Sequence, residues 1–95
     1  MLFRSQWVYV DLGRSRRIDS ITLVWETAFA KSYSIDISDD AVNWVTIHTE
    51  KSSKGGQENI ALEKPQNARY VRVFCKERAR KEWGYSLWEI EIFGE

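Results

Sequence analysis

The chain is poor in the residues that staple, kink or catalyse. Its 95 residues include one cysteine, one proline and one histidine. A single thiol, Cys75, excludes an intrachain disulfide. Its phase with Val71 and Val73 in RYVRVFC predicts a small buried side chain, not a reactive group. His48 has no cysteine, serine or carboxylate constellation about it, so neither a nucleophile–base triad nor a zinc site can be argued. Charge of one sign is not in excess either: 14 Lys+Arg balance 14 Asp+Glu. That argues against a nucleic-acid partner, which needs surplus positive charge to displace counterions. No apolar run approaches the ~18 residues of a membrane-spanning helix, and no stretch of about ten residues shows helical periodicity. The pair Gly55-Gly56 lacks the following helix that a phosphate cradle requires.

What is present is period-two alternation in short runs. An apolar content of 43% suffices for a core at this length, which is near the lower limit for one self-sufficient domain. The runs at 7–12, 18–26, 32–38, 43–49, 58–62, 69–75 and 86–93 predict seven strands. Ile21, Leu23 and Trp25 share one face, and Tyr33, Ile35 and Ile37 another, with Ser34, Asp36 and Ser38 opposite. Trp88 falls in phase with Ile90 and Ile92 and is expected in the core. Polar turns separate the runs: Gly13 after the first, SDDAVN with Asp39 and Asp40 as a hairpin signal, SSKGGQ as a flexible loop, and LEKPQNA holding Pro65 outside any strand. Many short strands with frequent turns predict an all-β antiparallel sandwich.

Successive antiparallel strands reverse direction, so their connections alternate between two ends. Loops 13–17, 39–43 and 63–68 then share one end, and loops 26–31, 50–57 and 76–85 the other. The second set is longer and carries Glu26, Phe29, Lys54, Arg78, Arg80, Trp83 and Tyr85. Function on a sandwich commonly sits on loops at one end of the scaffold, so this is the expected working end.

The ordered set WVYVDLG, VWE, AKSYSIDISDDAVNW, ARYVRVFC and WGYSLWEIEIFG resembles the discoidin, or coagulation factor 5/8 type C, superfamily. The closest likeness is to bacterial family 32-like carbohydrate-binding modules, and it spans essentially residues 6–94. The resemblance implies a jelly-roll β-sandwich of the galactose-binding type, an extracellular setting, and a monomeric role as one module of a larger multidomain protein. Family members begin upstream of WVYVDLG with a first strand region and often a structural calcium loop. The chain is therefore expected to be incomplete at its N-terminus, with no cofactor in it and any calcium site lying in the absent part. Residues 1–5 read either as an assembly artefact or as a disordered leader, with 6–95 as the domain. They do not carry the pattern of a secretory leader. Ala41 stands where the family hairpin often has Gly, and Ala resists positive φ, which leaves room for a different turn type.

Candidate ligand-binding residues are Trp83, Glu26, Arg78, Arg80, Phe29, Tyr85 and Trp25. A sugar ring offers an apolar C–H face for an indole and hydroxyls for a few polar partners, and Trp83 flanked by arginines suits that chemistry. Its other reading is a lid on the core. Glu26 can accept two hydroxyls or pair with Lys31 or Arg78. Phe29 is a second contact or a plug over the sandwich mouth. Arg78 and Arg80 are planar forks that bridge hydroxyls, or a solvated charged loop. Tyr85 is expected half-buried with its hydroxyl at the rim, and Trp25 packs at the rim in phase with the core. Arg69 and Arg72 are expected to pair with Glu89 or Glu91. The last two share a strand face about 7 Å apart, but a flat face is no cleft and raises neither pKa. No catalytic or metal residue is assigned. The expected function is a non-catalytic carbohydrate-binding module that targets an attached secreted enzyme to a polysaccharide or glycan. The alternative is a cell-surface adhesion module that binds phospholipid or a protein partner; glutamates among the loop cations make a membrane the poorer fit.

Overall fold

The computed structural model describes residues 2–3, 7–26, 28–78 and 85–94. They form six strands, β1 (Leu2–Phe3), β2 (Trp7–Trp25), β3 (Ala30–Ser38), β4 (Val45–Glu50), β5 (Gln57–Arg78) and β6 (Tyr85–Gly94). All pair antiparallel, in the order β1-β6-β2-β5-β3-β4.

Two elements are far longer than the alternation predicts. The expected strands 7–12 and 18–26 are one element, β2, and 58–62 and 69–75 are one element, β5. Their shared ladder bends at two offset irregularities. Register passes from Asp11↔Tyr70 to Arg16↔Ala68, so β2 carries the excess residues there. It then passes from Ile18↔Gln66 to Ser20↔Ala61, so β5 carries them, Pro65 included. Pro65 thus lies inside β5, contrary to the expectation, but at an unpaired step where its missing N–H breaks no ladder bond. At the β2 step Gly13 takes φ +86°, and its N–H donates to Asp11 Oδ1 at 2.8 Å.

The bend makes two wings from one sheet. Residues 7–11 of β2 continue the layer β4-β3-β5, whereas residues 18–25 pair with β6 and the start of β5. The wings close on each other as a sandwich. Trp25 and Tyr33 lie on strands that are not neighbours, yet their ring centroids are 5.5 Å apart. Between the wings Ile18, Ile21 and Leu23 of β2 meet Tyr33 and Ile35 of β3 and Val71, Val73 and Cys75 of β5. Burial pushes the Cys75 thiol up to about 12, so it stays protonated and inert. Among the described side chains of β6 the buried one is Leu87, beside a register irregularity between Val24↔Glu89 and Trp25↔Leu87; the Trp88 side chain, expected in the core, is outside the described set. Ile90 and Ile92 pack on the core as expected.

The polar face of β3 is not a solvent face. Ser34, Asp36 and Ser38 are buried, because β3 is central and long side chains cross over it. Asp36, 2% exposed, receives Arg72 Nη2 at 2.8 Å and Nε at 2.9 Å on Oδ2. Thr46 and Ser34 hydroxyls donate to its Oδ1 at 2.7 and 3.1 Å. Arg69 forks onto Asp11 at 2.9 and 3.1 Å. Both arginines therefore pair with aspartates on neighbouring strands, not with Glu89 or Glu91.

The β3–β4 hairpin is tied by Asp40. Its Oδ1 accepts the N–H groups of Val42 and Asn43, each at 2.9 Å, and its Oδ2 accepts Asn43 Nδ2 at 2.9 Å. Those donors hold the carboxyl well below the usual carboxylate range. The turn is fully stabilised above the ordinary carboxyl pKa and loosens as pH falls through Asp40's own lowered value. Ala41 sits at φ +61°, so the left-handed turn persists without glycine. That conformation costs an L-residue about 1 kcal/mol or more, against roughly 0.4–1 kcal/mol for the extra freedom of glycine in the unfolded chain. Ala41→Gly is expected to raise the melting temperature by about 2–4 °C. Thermal denaturation by circular dichroism checks this; a lower value would show that the turn does not strain Ala41.

Candidate functional site

Two connections meet at one end of the sandwich, beside the last residues of β5. Ser53 N–H donates to the Lys31 carbonyl at 2.8 Å, and Trp25 N–H to the Gly56 carbonyl at 2.8 Å, which locks 50–57 against 26–31. Arg78 stands opposite Ala30, which brings in the segment that begins at 76. Lys31 and Glu77 lie 3.9 Å apart and well exposed, a pair that contributes little. At the other pole, 39–43 and 63–68 share a depression lined by Asp39, Asp40, Asn43 and Asn67. The alternation of loops between two ends holds for these described connections.

At the first end lies an open depression of ≈ 470 Å³, lined by Val24, Trp25, Glu26, Phe29, Lys54, Gly55 and Gly56. Glu26 is exposed at its lip. Phe29 is half-buried and lies over Gly55, where a Cβ would come within 2.9 Å of its ring. Gly55 and Gly56 both have positive φ, so the loop needs glycine for its backbone and, at Gly55, for the ring above it. Phe29 thus lines the depression and also packs on the core edge. Trp25 is 4% exposed, so its ring is floor and not a free stacking face. Trp83 and Arg80 lie outside the described residues. Arg78 and Tyr85 are placed by backbone only, opposite Ala30 and Phe3, and their side chains are outside the described set.

Beneath the depression is a residue that the sequence reading passed over. Glu58 Oε1 accepts three side-chain donors: Trp25 Nε1 at 2.8 Å, Ser53 Oγ at 2.8 Å and Tyr33 Oη at 3.1 Å. Ser53 Oγ in turn accepts Gly55 N–H at 3.2 Å. One carboxylate oxygen therefore joins both wings to the glycine loop. Burial, then the Glu58 charge and hydrogen bond, raise the Tyr33 phenol far above its ordinary value, so it stays a donor. The signal for Glu58 was its phase with Ile60, which puts a carboxylate on the inward face of a strand end. Nothing in this arrangement pairs an acid with a base, and no three metal-ligating side chains converge among the described residues. It can hold a rigid, shallow, partly apolar surface with a carboxylate at its lip.

Glu58→Ala would leave three largely buried donors unpaired and is expected to cost about 3 kcal/mol in chemical denaturation. Glu58→Gln keeps an acceptor oxygen and should cost about 1 kcal/mol. Equal losses in the two variants would contradict the knot.

The F5/8 type C domain profile matches residues 3–90. Among solved structures the chain is similar to chitosan-binding module 1 of a chitosanase/glucanase from Paenibacillus sp. IK-5. The TM-score is 0.86 at 41% identity, over 93% of this chain and 67% of that one. It is also similar to chitosan-binding module 2 of that enzyme in complex with chitotriose, with TM-score 0.89 at 35% identity, over 98% of this chain and 74% of that one. Lactadherin of Mus musculus is 36% identical over 81 residues, covering 72% of this chain and 18% of lactadherin. The chain thus spans less than a fifth of that relative's length.

Proposed function

The chain belongs to the F5/8 type C domain family, and from that premise we propose that it is a non-catalytic carbohydrate-binding module that holds an attached secreted enzyme at a polysaccharide. The observation that carries the reading is the convergence of 26–31 and 50–57 on an open depression with a carboxylate at its lip. An open surface engages one or two rings of a long polymer and does not enclose a small molecule. The two Paenibacillus modules are named for chitosan, one of them in complex with chitotriose. A β-linked glucan or glucosamine polymer is therefore the proposed ligand class.

In this reading Trp83 stacks on a sugar ring, Phe29 widens the apolar contact, and Glu26 accepts hydroxyls or pairs with a protonated amine. Arg78 and Arg80 bridge neighbouring hydroxyls, and Tyr85 borders the site. Trp25, already bonded to Glu58, supports the floor. Few ligand atoms are engaged and water competes for each hydroxyl, so affinity per module should be on the order of 0.1–1 mM, raised by multivalent attachment. The glutamate pair Glu89 and Glu91 lies along β6, opposite Val24 and Thr22, and offers no cleft for hydrolysis. An adhesion module that inserts loop tips into phospholipid is less well supported, since Phe29 packs on Gly55 and does not stand out from its loop.

Affinity electrophoresis through soluble chitosan tests this. Trp83→Ala and Glu26→Gln should each weaken retardation about tenfold, the loss of roughly 1.4 kcal/mol of stacking or charged hydrogen bonding. Undiminished retardation in both variants, or binding to anionic liposomes in its place, would overturn the reading.

A further inference from the structure

We propose that the outer face of the wing formed by β4, β3, β5 and the first part of β2 is a second glycan-contact surface, on which a long chain continues beyond the rim. The inference rests on the carbohydrate-binding reading and extends it to a surface away from the loops. On this face Trp7 and Tyr9 are 42% and 40% exposed, although large aromatic rings are costly to leave in water. They are stacked with centroids 5.5 Å apart and planes within 5°. Tyr9 also meets Tyr70 edge-on at 5.7 Å and Trp44 at 5.7 Å. Arg72 lies over Trp44 at 4.3 Å, and Arg69 over Tyr70 at 5.1 Å. The rings are thus held in place before any ligand arrives, and contact with them would cost little side-chain entropy.

Charge selects the occupant. Arg69 is matched by Asp11 and Arg72 by Asp36. Both guanidinium groups described among these rings are thus matched, which leaves aromatic surface and hydrogen-bonding groups with little of the unmatched positive charge that an anionic polymer requires. Flat apolar contact interleaved with neutralised polar groups is the chemistry of a neutral or weakly basic sugar chain. Position supports the same occupant. Trp7 stands opposite Phe74, and four residues further along β5 Arg78 reaches the rim opposite Ala30, about 13 Å away. One extended glycan can lie along the stripe and end in the depression.

Isothermal titration calorimetry with chitotriose and with chitohexaose tests the idea. The unmodified chain is expected to bind the hexaose about tenfold more tightly than the triose. Trp7→Ala and Tyr9→Ala, made separately, should each abolish that length preference while leaving triose affinity unchanged. Equal affinity for the two oligomers, or variants that keep the preference, would overturn this proposal and leave the rim reading intact. Light scattering on the same samples adds a further arm: a dimer in the parent that dissociates in the variants would make this face an interface between copies. If the triose does not bind at all, the rim reading fails and this one falls with it.

Discussion

The constraint on which the structure depends is the shared ladder of β2 and β5. Both strands run through both wings, and their offset irregularities at Asp11/Arg16 and Ile18/Ser20 turn the sheet back on itself. A continuous flat ladder would leave the apolar faces of Ile21, Leu23, Val71 and Val73 without partners. Once folded, each wing covers the other, and one core serves a chain with few residues to spare. The same bend sends the end of β2 and the start of β5 to one pole. There Trp25 meets Gly56, and the glycine loop meets Lys31. The candidate rim is a consequence of the corner.

Two carboxylates complete the frame, Asp36 buried and Glu58 half-buried, and they do different work. Asp36 lies under the outer face and is matched by a guanidinium and two hydroxyls, so the central strand carries no unmet charge. Such a pair adds less to stability than its distances suggest, because both charges have left water, but it fixes where Arg72 and the Trp44 ring above it sit. Glu58 lies at the mouth and holds neutral donors from both wings. A site that binds weakly through few contacts gains most from being held in shape before the ligand arrives, and these two groups hold the surfaces on either side of the rim.

Much of this was legible in the sequence. Period-two alternation identified the inward faces of β2, β3 and β5, including Cys75, and strand reversal assigned the loops to their poles. The rest was hidden for physical reasons. A stretch such as GRSRR or EKPQN reads as a turn locally, and only the partner strand across the ladder makes it a bulge within a longer strand. Asp36 alternates like a solvent residue; its burial comes from β3 lying between β4 and β5. Leu87 is buried beside an irregularity opposite Trp25 that the alternation of β6 does not show. Ala41 keeps a glycine-like conformation because Asp40 and Ser38 hold the turn around it. Glu58 was missed because a charged residue at a strand end reads as solvated until its donors arrive from three other segments. Of the predicted ligand residues, Glu26, Phe29 and Trp25 come together around one depression, whereas Trp83 and Arg80 fall outside the described residues.

The proposed glycan site lies at the pole where 26–31 and 50–57 meet, beside the end of β5. Amide nitrogen–proton correlation spectra recorded while chitotriose is added test it most directly. The largest shifts are expected on Glu26, Phe29, Lys54, Gly55 and Gly56 and on the residues after Arg78. Shifts confined to Asp39–Asn43 and Asn67, at the opposite pole, would contradict it.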